Sequence, residues 1–114
     1  EGYAEEMDKC AAACEEHPDL FRILMTHHPE RIADYRSHPA DLILTGHAHG
    51  GQWRFPFLKN GLFAPEQGLF PKYTGGMFLF ERNRMICSRG LGNATPFPRF
   101  GNPPEIVCVT LATP

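Results

Sequence analysis

This sequence has no apolar run near the roughly 18 residues that a membrane-spanning helix needs. It lacks a signal-peptide pattern, internal repeats and any low-complexity linker. Positive charge is not in excess: the formal net charge is −2, and no basic stripe interleaves with the aromatics. Nucleic-acid binding is therefore disfavoured. There is no Cys-x-x-Cys pair and no cysteine in a cationic loop, which disfavours a thiol-based enzyme. Acidic residues are also missing from the ends of the apolar runs, where ligands of divalent ions are expected.

What remains is enough for one small domain with a core: 114 residues, 42% apolar and 21% charged. The first residue is Glu1 rather than Met, so the expectation is a part of a longer protein. Cys10 and Cys14 stand at i, i+4 on a predicted helix, a poor spacing for a disulfide. Cys87 and Cys108 stand in apolar strands and read as small core residues. A reducing compartment fits this usage. A zinc site of Cys10, Cys14 and His17 lacks a fourth ligand and is disfavoured.

Along the chain, residues 3–16 are rich in helix formers and stop before His17-Pro18, because a residue that precedes proline avoids helical geometry. Asp19 to Met25 reads as a buried strand, Glu30 to Arg36 as a short helix, and Asp41 to Thr45 as a second buried strand. Glu30 reads as a charge at the positive end of the helix dipole. Gln52 to Thr74 is dominated by glycine, proline and aromatics, with a short strand at Gln52 to Phe55. Long irregular segments of this kind are functional or packed by their own side chains. Phe55, Phe57, Phe63 and Phe70 would serve either core packing or an apolar wall. Three further strands are predicted: Gly76 to Arg82, Arg84 to Arg89 and Glu105 to Leu111. The first two form a hairpin about Arg82-Asn83. The order is α/β at the front and antiparallel at the back, an α/β (α+β) class with two packed sheets and outer helices.

Two histidine signals carry the chemistry. Leu20 to Met25 leads into Thr26-His27-His28-Pro29, and Leu42 to Leu44 leads into Thr45-Gly46-His47-Ala48-His49-Gly50-Gly51. Both place imidazoles where a strand ends and a loop begins, the edge at which such sheets meet ligands. In an extended or turn conformation His47 and His49 point the same way, while His27 and His28 point apart, so only one of that pair faces a given site. Imidazole is the commonest protein ligand for divalent transition metals. Three imidazoles can hold one ion but cannot neutralise two close ones, so carboxylates must come from elsewhere. His17 and His38, each before a proline, read as surface or satisfied core residues.

Thr26-His27-His28-Pro29 resembles the His-x-Pro motif of calcineurin-like metallophosphoesterases, and Gly46-His47-Ala48-His49 resembles their final Gly-His-x-His motif. With Gly50-Gly51-Gln52, Ser88-Arg89-Gly90-Leu91-Gly92 and Pro103-Pro104-Glu105-Ile106, the chain is similar to the bacterial branch of YkuE-like phosphodiesterases from about Leu20 to Leu111. The resemblance implies that residues 1–114 are the C-terminal part of a four-layer α-β-β-α sandwich with a dinuclear centre. It implies His27 and His47 as ligands of one metal, His49 as ligand of the other, and Arg89 as either a substrate contact or a structural ion pair. The implied cofactors are two divalent ions (Mn, Fe or Zn) in the intact enzyme and at most one, weakly held, in this chain alone. The family's Asp-x-His, Gly-Asp-x-x-Asp and Gly-Asn-His-Asp/Glu motifs are absent, so no catalytic proton-transfer residue is assigned here. The implied activity is hydrolysis of a phosphodiester or phosphomonoester, lipid-linked or nucleotide-type, with this chain inactive alone. The missing N-terminal half of the domain is the implied partner, and a homo-oligomer would be the route by which the chain alone hides uncovered sheet. The implied location is cytoplasmic or peripheral to the membrane. The competing reading is a non-catalytic, self-associating metal-binding module.

Overall fold

The computed structural model describes residues 2–93 and 96–113. The first helix, α1 (Gly2–Glu16), follows from its alanine-rich, glutamate-rich composition. Lys9 braces it through ion pairs of 3.0 Å to Glu5 and to Glu6. Its half-buried residues Tyr3, Met7, Ala11 and Cys14 recur at spacings of three and four and form one stripe. The Arg31 guanidinium lies 4.0 Å over the Tyr3 ring.

Strand β1 is Ile23–Met25, the second helix α2 is Ile32–Ser37, and β2 is Leu42–Thr45. The hairpin strands are β5 (Gly76–Leu79) and β6 (Arg84–Cys87), and a two-stranded flap between them and β2 comprises β3 (Phe63–Ala64) and β4 (Gly68–Leu69). The main sheet has the order β1-β2-β6-β5. Its β1–β2 and β2–β6 pairs are parallel and its β5–β6 pair is antiparallel. The architecture is thus mixed α and β around a mixed sheet.

The register sets the core. Leu24, Ile43, Met85 and Phe78 are cross-strand neighbours in one row. The first three are buried and pack with Tyr35 of α2, and Phe78 leans on them. Burying a side chain such as Met85 favours folding by about 2 kcal/mol. Asn83, predicted as a turn residue, is itself buried. Its Nδ2 donates to the carbonyls of Tyr35 (2.8 Å) and His38 (3.1 Å), so the hairpin turn ties down the end of α2. On the opposite face the two edge strands are open, with Ile23, Met25, Met77 and Leu79 exposed, while Leu42 between them is buried.

Several sequence expectations are corrected. Asp19 to Arg22 is not strand, and β1 is buried only at Leu24, because nothing lies over Ile23 and Met25. Gln52 to Phe55 forms only isolated bridges, Trp53 with Phe100 and Phe55 with Leu58. Glu105 to Leu111 has no ladder, and Cys108 is exposed rather than part of a core. The apolar alternation of that segment is sound strand sequence, but no neighbouring strand receives its hydrogen bonds. Cys87 is buried as expected. Among the described residues no helix is long and apolar enough to cross a membrane.

Candidate metal centre

Because β1 and β2 run parallel, their C-terminal ends lie at one edge of the sheet. The chain continues the pairing past both strands: Thr26 N–H donates to the Leu44 carbonyl (3.0 Å), and Gly46 N–H to the His27 carbonyl (3.3 Å). This brings the two histidine motifs together. The ring centroids of His27 and His47 are 4.5 Å apart.

The backbone after β2 is unusual. Ala48 N–H donates back to the Gly46 carbonyl (2.7 Å), which closes a three-residue turn around His47 at φ 63°. Turns of this hand are rare and strained. His49, Gly50, Gly51 and Gln52 also have positive φ. Only the glycines take that region freely, so strain is concentrated at His47, His49 and Gln52. The tight turn was foreseen. The His47 and His49 rings are 6.5 Å apart; the His47 ring lies against His27, and His49 Nδ1 hydrogen-bonds the Gly92 carbonyl (3.0 Å).

His28 also departs from expectation. Its ring lies 4.8 Å from that of His47, so both members of the His27-His28 pair border the same imidazole. The reason is that the chain there is bent rather than extended. Tyr35 OH reaches back from α2 to the His28 carbonyl, while Thr26 Oγ1 lies 3.0 Å from the same hydroxyl. Glu30 precedes α2 and pairs with His28 Nδ1 at 2.9 Å instead of serving the helix end.

Burial, and after it the neighbouring His27 and His28, hold the His47 imidazole below its ordinary pKa. Its Nε2 is buried without a hydrogen-bond partner. A bare, neutral imidazole nitrogen is the donor a divalent metal takes. His49 offers the same kind of donor. A carbonyl only accepts, so Nδ1 carries the proton and Nε2 keeps its lone pair. The donor set fits one or two ions that find further ligands outside these residues. Among the described residues no three histidine, cysteine or acidic side chains converge on one point.

Arg89 donates through Nε (2.8 Å) and Nη2 (2.6 Å) to Glu105 Oε2. The structural ion pair weighed for it is therefore present. His17 is exposed, and His38 is buried with Nδ1 accepting from Ala40 N–H (3.1 Å). Trp53, Leu62, Phe63, Leu69 and Phe97 line an apolar pocket immediately after the His49 turn. Core packing is not the role of Phe57 or Phe70, which are 80% and 67% exposed. Arg99 and Gly92 went unassigned as contributors to the site.

No family model matches the chain, and no solved structure does. Curated proteins do. Over 92 residues the chain is 37% identical to the uncharacterized metallophosphoesterase YkuE of Bacillus subtilis (strain 168), a match covering 81% of this chain and 31% of YkuE. It is 34% identical over 109 residues to the UDP-2,3-diacylglucosamine pyrophosphatase LpxG of Chlamydia trachomatis serovar D, covering 91% of this chain and 33% of LpxG. It is 33% identical over 90 residues to the phosphodiesterase YaeI of Escherichia coli (strain K12), covering 75% and 32%. The chain spans about a third of the length of these relatives. With the histidine motifs meeting at one sheet edge, these matches establish that the chain belongs to the metallophosphoesterases.

Proposed function

We propose that these residues supply the histidine share of a dinuclear metallophosphoesterase centre that hydrolyses a phosphodiester or phosphomonoester. The observation that carries this reading is the meeting of His27 and His47 at the ends of two parallel strands, with His47 Nε2 buried and unpartnered. In this reading His27 and His47 hold one divalent ion and His49 the other. Such ions, when bound, activate water and neutralise charge on the phosphoryl oxygens. The chain's own part is positional. β1 and β2 fix the two motifs side by side, and the turn closed by Ala48 N–H onto the Gly46 carbonyl sets the backbone of His47.

Two close cations require more carboxylate than the single Glu30 at this edge, which is paired with His28, so the remainder of an α-β-β-α sandwich supplies it. That remainder also covers the open face of Ile23, Met25, Met77 and Leu79, where an uncovered apolar patch is costly. Arg89 is proposed to act near the substrate only through the loop it anchors. The apolar pocket that starts at Gln52 suits a substrate that carries apolar chains, in keeping with the diacylated substrate named for LpxG.

The test is hydrolysis of a model phosphodiester with added Mn²⁺, by the full-length chain and by residues 1–114. Turnover is expected only in the full-length chain. Replacing His27, His47 or His49 by alanine should lower it at least about a hundredfold, a loss typical of removing a group that stabilises transition-state charge. Turnover by residues 1–114 alone, or full activity in the triple variant, would overturn the reading.

A further inference from the structure

We infer that Arg99 is a positioning residue for His49, acting through the carbonyl of Gly92. Arg99 Nε (2.8 Å) and Nη2 (2.5 Å) both donate to Gly92 O, the atom that accepts from His49 Nδ1 at 3.0 Å. The guanidinium carries donors only, and the carbonyl only accepts. The arrangement therefore places a proton on His49 Nδ1, directed at Gly92, and in the neutral ring this leaves the lone pair on Nε2. Fixing the tautomer of a metal-binding histidine through its other ring nitrogen is a recurrent device at metal centres.

The carbonyl is held from more than one side. Arg99 Nη2 also donates to the Arg89 carbonyl (2.5 Å). The Arg89 side chain is pinned by Glu105, and Glu105 N–H donates to the Gly90 carbonyl (3.0 Å). The stretch from Arg89 to Gly92 is thereby tied to the Pro103–Glu105 stretch on one side and to His49 on the other. Arg99 Nη1 is buried without a partner, so the guanidinium keeps this position against a desolvation cost. The inference rests on the phosphoesterase reading for its purpose, because it treats His49 as a ligand. Its geometry stands on the contacts alone.

The experiment is nitrogen-15 NMR of the histidine rings in the metal-free 114-residue chain and in Arg99→Gln and Arg99→Lys, with Zn²⁺ affinity of the full-length chain measured in parallel. In the parent chain His49 should carry its proton on Nδ1. Arg99→Gln should lower the share of His49 protonated on Nδ1, by up to about fivefold, the worth of its whole hydrogen bond to Gly92. Arg99→Lys should restore part of the shift, since an ammonium can still donate once to Gly92. Zn²⁺ affinity should fall between about ten- and a hundredfold in Arg99→Gln. A proton on His49 Nε2 in the parent chain, or an unchanged ratio in Arg99→Gln, would overturn the inference. So would loss of the fold in both variants, which would make Arg99 a folding residue. The predicted tautomer shift without any Zn²⁺ binding would uphold the positioning role and count against the phosphoesterase reading.

Discussion

Gly61→Ala should be far more damaging than Gly68→Ala, although the two glycines have nearly the same backbone conformation. Gly61 has φ 80° and Gly68 has φ 72°. An alanine in this left-handed region costs roughly 1–2 kcal/mol in either place. The surroundings differ. A Cβ on Gly68 would meet nothing within 4 Å, whereas a Cβ on Gly61 would stand 2.5 Å from Gly51 O, 2.6 Å from Gly51 Cα and 2.8 Å from Gly50 O. Those are backbone atoms of the turn that follows His49, and they cannot swing aside as a side chain would. Overpacking of this kind adds about 1–3 kcal/mol. Gly61→Ala should therefore lose about 2–5 kcal/mol and Gly68→Ala about 1–2 kcal/mol. Urea unfolding monitored by circular dichroism would read the difference, with the slope serving as a check that both variants unfold from the same compact state. The reciprocal change, Gly51→Ala, meets Asn60 O at 2.1 Å and should resemble Gly61→Ala. Equal losses at Gly61 and Gly68 would refute the claim that the loop is clamped onto the histidine turn backbone to backbone.

Acid should destabilise the protein in two stages. Burial lowers the His38 pKa, so its share of stability is present above about pH 6.5 and is lost as pH falls toward the lowered folded value. Arg22 and Arg89 depress the pKa of Asp41 and Glu105, so those shares persist above the ordinary carboxylate range and vanish as pH falls through the depressed values. Urea midpoints across the acid range check both stages, and a midpoint that stayed flat in acid would count against them. Burial also pushes the Cys87 thiol up to about 11. Iodoacetamide at mildly alkaline pH should therefore label exposed Cys10 and Cys108 and spare Cys87 until denaturant is added, as peptide mass spectrometry would show.

The first helix, the parallel pair and the hairpin were legible because each is specified locally. Alanine and glutamate set α1, and short apolar runs bounded by prolines and polar residues set β1 and β2. The hairpin formed as expected, but its turn lies over Glu81-Arg82, one residue before the Arg82-Asn83 that the sequence suggested, because Leu79 pairs with Arg84 and Phe80 N–H donates to the Asn83 carbonyl (2.9 Å). Glu105 to Leu111 failed for a different reason. Its alternation states that the segment is ready to pair, but pairing needs an edge with free donors and acceptors in register. The described residues bring none to it, and Ile106 is left 78% exposed. The same reasoning covers β1, where Met25 is 80% exposed on a run that reads as fully buried. Both misreadings fall on residues that border the open face of the sheet. They share one physical feature: the apolar pattern marks a surface that the described residues do not cover.

Sequence reasoning singled out His27, His47 and His49 because strand ends and glycines mark where imidazoles gather, and the fold brings the rings of His27 and His47 within 4.5 Å of each other. The partners were harder to foresee: the turn closed by Ala48 N–H onto Gly46 sets His47 against His27 and His49 against the Gly92 carbonyl. Arg99 had no local signal, because it acts on His49 from fifty residues away through a carbonyl that any residue would carry. The glycine at position 92 offered only a hint. A Cβ there would come within 3.7 Å of His49 Cε1, which is ordinary contact and excludes no other residue on space alone. What chain position supplies is a list of donor nitrogens. Which nitrogen keeps its lone pair is decided by second partners, and those are placed by the fold.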